Sequence, residues 1–517
     1  MALLKKKNVL QMKKIYFNED NQHFYHFHPE SDMTPEGVRN LVDTYAQTGT
    51  VKGILFCTNM QRALYDSDVW ERFKDVEQNI PYVNHLRLLS ERGVDQFKIW
   101  LQRCGELDIE GWLSMRMNDS HGLKEAAEQL YSDHQPWPSR KWKENPQWRR
   151  APYRSERSWE GSYNYSIPEV REHHLNLVRE LFNKYDMFGF ECDWMRWGMM
   201  FAPGFERDGQ KILTDFVQEI RNIADAAENR VGHKIRLAHR VPSHPESCLN
   251  YGFDLIEWGK NGCVDMLTLS GFLEGTNFDP QVKLWRKLLP ENTIINVVAE
   301  SACAAYPGNS LHTYDILRGA AAAAWSSGAD NLYLFNECYR ESENLKALNE
   351  MMLTIADEEK LSRSSRRMAV SFPQAIIPGE SARTVLPVKL TVPHIGVDMG
   401  RMEQNITLRM PAGKLSAETK AVLSLGFSDD TERERLTGLP VRCNTVSLTF
   451  IESLELPPDR IDQNNIFQLF SDYPRDAVYV MRYAVPAKLL KETFNAFEIL
   501  PPKIKGSIVW ASLELDS

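Results

Sequence analysis

Between Met12 and Asp357, short apolar runs alternate with longer amphipathic stretches, eight times over. The apolar runs are Lys14–Asn18, Gly53–Asn59, Gly111–Asn118, Gly189–Asp193, Ile235–Arg240, Val264–Ser270, Thr293–Glu300 and Asn331–Asn336. Helical patterning fills the intervals near 34–48, 84–105, 168–185, 208–230, 245–260, 280–289, 314–327 and 343–357. Pro168, Pro245 and Pro280 stand near helix starts, where a missing N–H costs nothing, while Asp186 and Gly232 fall where helices should stop. Strict alternation of strand and helix predicts an α/β fold, a parallel sheet covered by helices. Eight such units fit a (β/α)8 TIM barrel carrying insertions. An open doubly wound sheet is the competitor. It wants a glycine-rich phosphate turn after the first strand, and Asn18-Glu19-Asp20-Asn21 is not one.

After Asp357 the period changes. Lys360 to Arg367 reads as a polar linker, and from Met368 to Ser517 short alternating runs are separated by Pro, Gly and Asp turns. These runs are Leu386–Val392, Gln404–Met410, Lys420–Phe427, Asn444–Phe450, Val478–Val485 and Gly506–Leu515, with one helical turn near Pro486–Glu492. Many strands without intervening helices predict an all-β sandwich. The expected organisation is therefore a barrel over 1–359 and a β-sandwich accessory domain over 368–517.

The chain has 517 residues and a net charge of −9, which argues against a nucleic-acid or anionic-membrane partner. No apolar run approaches a membrane span. Lys5, Lys6 and Lys7 precede a stretch too short and polar for a signal-peptide core, so the protein is expected in the cytoplasm, or exported with its leader absent from this sequence. The eight cysteines include no CxxC pair, so they are expected as reduced core thiols, without zinc ribbons or redox motifs.

The largest insertion, about 121–167, holds Trp137, Trp142, Trp148, Tyr153, Trp159, Tyr163 and Tyr165, interleaved with Arg and Pro. This aromatic content speaks against disorder. Flat apolar faces with a polar edge suit the C–H faces of sugar rings, although the same aromatics could simply pin the loop to the barrel.

Candidate chemistry concentrates in Phe188-Gly189-Phe190-Glu191-Cys192-Asp193-Trp194-Met195-Arg196. On a strand, Glu191 and Asp193 share a face, opposite Phe190 and Cys192. Two carboxylates aimed one way at the C-terminal end of a barrel strand stand where barrels place their chemistry. The bland alternative makes one of them a buried partner for Arg196 or Arg240. Other strand ends deliver Ser114, Arg116, Asn118, Asp119 and His121; Arg240, with His239 facing the other way unless the strand has ended; Asn296 and Glu300; and Asn336 or Glu337. Paired carboxylates flanked by aromatics meet the needs of glycoside hydrolysis, one acid protonating the leaving oxygen while the other attacks or activates water. Asp193 and Glu300 are the expected pair, Glu191 a neighbour whose like charge raises a partner's pKa, and Glu337 the reserve. Arg116, Asn118, Asp119, Trp159, Trp194, Arg196, His239, Arg240 and Asn336 are the expected substrate contacts. Arginine forks leave open an anionic sugar, uronate or sulfated.

Two other readings stand beside this one. Glu191, Asp193, His239, His244, Glu300 and Glu337 could ligate a divalent ion in a barrel aldolase or isomerase, although no HxH or HExxH spacing supports it. Alternatively, a catalytically silent barrel could bind glycans. The hydrolase reading needs no cofactor and no metal.

Trp112-Leu113-Ser114-Met115-Arg116-Met117-Asn118-Asp119-Ser120-His121, Tyr165 to Arg171 and Gly189 to Arg196 resemble stretches of bacterial family-10-like glycosyl hydrolases, over roughly residues 12–357. There the last motif looks like DG-hydrophobic-ELDFMR. Phe188, Cys192 and Trp194 depart from it, while Glu191, Asp193 and Arg196 stand. The ending from Asn495 to Leu515 resembles jelly-roll accessory domains. The resemblance implies a carbohydrate-active barrel and little about its substrate.

Overall fold

The chain's first eight apolar runs form strands with one face toward a shared interior. We label them β1 (Ile15–Glu19), β2 (Val51–Cys57), β3 (Glu110–Arg116), β4 (Gly189–Asp193), β5 (Arg236–Pro242), β6 (Met266–Ser270), β7 (Ile294–Ala299) and β8 (Asn331–Leu334). The computed structural model describes residues 14–20, 22–123, 138–153, 158–271, 276–305, 309–370, 386–390, 406–457, 476–500 and 504–517. Each strand pairs in parallel with the next, and β8 returns to β1 through Ile15↔Leu332 and Phe17↔Leu334. That pairing closes the barrel and excludes the open sheet. Strand ends differ from the sequence reading by at most two residues, and β4 matches it at both ends.

Inside the barrel, Tyr16, Leu55, Trp112, Ala238, Met266, Val298, Tyr333 and Phe335 make a buried cluster of their own. The Trp112 ring lies across Gly189, whose missing Cβ would sit 2.2 Å from it. Outside, the strands pack on helices with one apolar stripe. Two expected helices each split in two. Gly93 (φ 65°) and Gly252 (φ 90°) take the left-handed conformation that ends a helix. Asp95 and Asp254 then cap the next helix, each accepting a backbone N–H.

The expected linker is ordered structure. A helix at Glu358–Ser362 leads straight into a strand at Arg366–Ala369. The Arg366 guanidinium is buried and donates to the carbonyls of Leu361, Ser362, Ser364, Ala412 and Lys414. Burial among carbonyls lowers its pKa to about 10. Arg366–Ala369 lies antiparallel to Ser507–Asp516 in a sheet continuing through Lys420–Phe427, Tyr479–Val485 and Thr449–Glu455, with Val388–Lys389 also on Ser507–Asp516. A second antiparallel sheet orders Ile406–Met410, Asn495–Ile499, Val441–Cys443 and Val446–Ser447. The expected strand Asn444–Phe450 breaks into a turn at Asn444 and Thr445, which both take positive φ, then the short strand Val446–Ser447 and the start of Thr449–Glu455. The helix Tyr314–Ser327 backs this region so closely that a Cβ on Gly319 would fall 1.9 Å from the Arg367 carbonyl oxygen. Cys57, Cys104, Cys192, Cys248, Cys263, Cys338 and Cys443 are buried and form no disulfide among the described residues.

Gly189→Ala is expected to destabilise the fold by about 1–3 kcal/mol through overpacking against Trp112. Gly105→Ala, in a helix with nothing within 4 Å, should stabilise by about 0.5–1 kcal/mol. Urea unfolding of the two variants checks both signs.

Candidate active site

Along β4 the side chains alternate as the pleat requires, with Glu191 and Asp193 inside the barrel and Phe190 packing outward on Phe182. Glu191 is fully buried. Its Oε1 accepts from Ser114 Oγ (2.8 Å) and Tyr333 OH (3.0 Å), and Oε2 has no hydrogen-bond partner among the described residues. Burial and then the charge of Asp193 push its carboxyl up to about 7, against the pull of Arg240 and the two hydroxyls.

One pleat nearer the mouth, Asp193 is gripped by a fork. Arg240 Nε donates to Oδ1 and Nη2 to Oδ2, both at 3.0 Å, and Met195 N donates to Oδ1 at 2.9 Å. The remaining Arg240 nitrogen reaches Ser270 Oγ at 2.9 Å. The guanidinium also lies 4.1 Å from the centre of the Phe335 ring, and that of Arg196 lies 4.4 Å from it.

Above this layer the charges are interlocked. Arg116 donates to Asp20 (2.6 Å) and Asp119 (2.8 Å); Arg196 donates to Asp20 (3.3 Å) and Asn336 (3.1 Å); Tyr339 OH donates to Asp20 (3.2 Å). Burial alone would raise the Asp119 carboxyl, but His121 and Arg116 outweigh it and hold it well below the usual range. Glu300 lies buried just past β7. Glu337 Oε1 accepts from Ser301 N at 2.5 Å, tying the loop after β8 to the loop after β7.

Arg116, Asp119, Arg196, Arg240 and Asn336 thus converge at the mouth as the sequence suggests, and Asp193 takes Arg240 as its partner. Three expected substrate contacts do not. His239 faces out of the barrel, accepting from Trp194 Nε1 (3.0 Å) and donating to the Cys263 carbonyl (2.9 Å). Burial lowers its pKa to about 4 and keeps it neutral. Trp194 packs with it against Phe253 and Trp258. Asn118 is spent on the insertion, donating to the carbonyls of Tyr163 and Met199 and accepting from Tyr163 N.

The insertion's aromatics divide in the same way. Trp142, Tyr163 and Tyr165 are buried; Trp142 Nε1 donates to the Gly161 carbonyl and its ring carries Arg149 at 3.7 Å. Trp148 packs on Tyr163, Tyr153 is exposed, and Trp137 lies outside the described residues. Trp159 is half-buried, its ring 5.9 Å from Trp197. Trp197 holds φ at 77°, a left-handed conformation that is strained for a bulky residue.

The donors of the mouth-metal reading do not assemble. Among the described residues the clusters able to hold an ion include none of Glu191, Asp193, His239, His244, Glu300 and Glu337. Asp20, Tyr333 and Phe335 are the participants that sequence reasoning missed. Asp20 continues the inward alternation of Tyr16 and Asn18, a signal that was there to be used. Tyr333 and Phe335 sit in the unbroken apolar run Leu332–Phe335, which carries no period.

No family model matches the sequence, and no curated protein matches it. Similar solved structures include a GH113 beta-1,4-mannanase, 10% identical, covering 67% of this chain and 98% of its own, at TM-score 0.37. The PgaB (BpsB) glycoside hydrolase domain from Bordetella bronchiseptica is 14% identical over 66% of this chain and 99% of its own, at TM-score 0.38. The galactosidase domain of alpha-galactosidase-sucrose kinase AgaSK is 11% identical over 97% of this chain and 55% of its own, at TM-score 0.35. At such scores the likenesses carry no argument about chemistry; the barrel is established by the chain's own strand pairing.

Arg240→Met, which leaves Asp193 charged and dry, should cost on the order of 3–5 kcal/mol. An Asp193→Leu/Arg240→Met double variant should recover much of it, read in a double-mutant cycle by denaturant unfolding. Because the folded Glu191 carboxyl titrates above its unfolded value of 4.5, its stabilisation is complete below pH 4.5 and is lost as pH rises through about 7. That loss is on the order of 3 kcal/mol. Glu191→Gln should remove that slope from stability measured against pH.

Proposed function

We propose that this protein hydrolyses a glycosidic bond in an oligo- or polysaccharide, with Glu191 holding the proton that the leaving oxygen needs. The observation that carries this reading is the contrast between two carboxyls on one strand face. Asp193 is clamped in a bidentate pair by Arg240, while Glu191 is raised to about 7 with one oxygen unengaged. An acid poised near neutral pH beside a fixed carboxylate is the division of labour that glycoside cleavage requires. In this reading Asp193 faces the positive charge that develops at the anomeric carbon. Glu300, buried past β7, is the other carboxylate available for attack or for activating water.

The mouth also bears on the sugar. Arg116, Arg196 and Arg240 are each engaged by Asp20, Asp119 or Asp193. Such matching leaves little reason for a sulfate or uronate to bind there and favours a neutral sugar. In this reading Trp159, half-buried beside Trp197, supplies the flat apolar face for its ring.

Wild type, Glu191→Gln, Asp193→Asn and Glu300→Gln should be assayed on a broad glycan panel and on nitrophenyl glycosides. Wild-type kcat/KM is expected to fall above about pH 7 as Glu191 loses its proton. Glu191→Gln should lose about 10²–10⁴-fold on glycans, and far less on nitrophenyl glycosides, whose leaving group needs no acid. Equal losses on both substrate types would remove Glu191 from the acid role. Full activity of Asp193→Asn with none in Glu300→Gln would move the second carboxylate across the barrel.

A further inference from the structure

Away from the mouth's carboxylates, a second cluster of charged donors sits where the loop after β1 meets the loop after β8. It is made by His23, on the short helix His23–Phe27, by His28 just beyond it, and by Glu341, on the first turn of the helix Tyr339–Ile355. One donor atom from each lies within 4.8 Å of the others. We propose that His23 Nε2, His28 Nε2 and the Glu341 carboxylate bind a divalent transition metal of the zinc class, which pins the β1 loop to the β8 loop.

Three observations support this assignment. First, the outer nitrogens are already oriented. His23 Nδ1 lies 2.9 Å from Glu19 Oε1 and His28 Nδ1 lies 3.1 Å from Asp32 Oδ2. A carboxylate behind the ring fixes the tautomer with Nδ1 protonated and turns the Nε2 lone pair toward a metal, as metal-bound histidines commonly do. Secondly, the two Nε2 lone pairs then converge on the same carboxylate oxygen. Glu341 Oε2 is 3.5 Å from His23 Nε2 and 3.3 Å from His28 Nε2. An anionic oxygen facing both Nε2 atoms is held there by positive charge, either a proton on each ring, which the carboxylates favour against burial, or one metal ion in place of both protons. The Ser342 hydroxyl, 3.0 Å from both Glu341 Oε2 and His23 Nε2, has a single proton to give. His28 Nε2 is buried and meets Glu341 Oε2 as an ion-pair contact rather than as an aligned hydrogen bond.

Thirdly, the spacing suits an ion better than a hydrogen bond. Charge-assisted N–H···O contacts run about 2.7–2.9 Å. Two donors each about 2.05 Å from one tetrahedral ion stand roughly 3.3 Å apart. The oxygen and nitrogen donors also match zinc rather than magnesium or calcium, which prefer oxygen alone. Access is open from one side, since His23 is fully buried while His28 and Glu341 keep 14% and 11% of their side-chain surface. Glu19 adjoins Asp20, which Tyr339 also contacts, so an ion here would stiffen the seam where the barrel closes.

Protein stripped with EDTA and desalted should be titrated with Co²⁺ and with Zn²⁺. One equivalent of Co²⁺ is expected to give visible d–d absorption that Zn²⁺ abolishes, and Zn²⁺ is expected to raise the Tm. Glu341→Gln and His28→Gln should lose both effects while keeping the far-UV circular dichroism of the wild type. Asp32→Asn, at a partly exposed position with little bearing on folding, should weaken Co²⁺ binding about 10–100-fold. That readout stands even if the ligand variants fail to fold. Absence of d–d absorption together with an unchanged Tm would overturn the proposal and leave the cluster as histidine–carboxylate ion pairs. A strong thiolate charge-transfer band would overturn the ligand set in favour of Cys338, which lies with Glu19 on the other side of His23.

Discussion

A carboxylate taken out of water costs several kcal/mol unless another group answers its charge, and at the barrel mouth the Arg240 fork gives Asp193 that answer. Much of the surrounding arrangement follows from this pair. With Arg240 turned toward Asp193, the carboxyl one pleat deeper on the same face receives only the hydroxyls of Ser114 and Tyr333. Glu191 therefore keeps its proton to about neutrality. Above the pair, Arg196 shares the Phe335 ring with Arg240 and hands its charge to Asp20, which shares it with Arg116. The acid–base character of the mouth is thus set by which charges are paired and which carboxyl is left over.

The barrel was legible because short apolar runs alternated with helix-period stretches eight times. β4 could be read down to the side on which Glu191 and Asp193 lie, since Phe190 and Cys192 mark the other side. β8 could not, because a parallel strand buried on both faces is apolar throughout, and so Tyr333 and Phe335 went unnoticed. His239 and Trp194 were misplaced for a related reason. They stand near the mouth in sequence but have outward phase, and polar groups on that face are expected only when they satisfy each other, as these two do. Asn118 has inward phase, yet its amide serves backbone groups of a distant insertion, a partnership that spacing along the chain cannot reveal. The stretch at Lys360–Arg367 was polar enough to pass for a linker. Arginine's planar fork nonetheless lets Arg366 be buried against several carbonyls at once.

The insertion has two roles that its aromatic content alone could not separate. Trp142, Tyr163 and Tyr165 bury the described part of it in the core, and Trp159 lies against Trp197. Trp197 holds a backbone conformation costing about 1–3 kcal/mol, directly after Arg196. Strain of that size persists only where its surroundings over-determine it, and His121 and Trp159 flank the ring.

Gly319 has no side chain, and the Arg367 carbonyl occupies the space one would need. The helix that bears it also packs on the wall formed by β7 and β8. A different set of sheets could be joined to this barrel only if it brought a bare backbone segment to the same spot, and a different barrel could accept these sheets only by offering a glycine there. The seam therefore acts as a compatibility code, and recombination that exchanged one part without the other would break it.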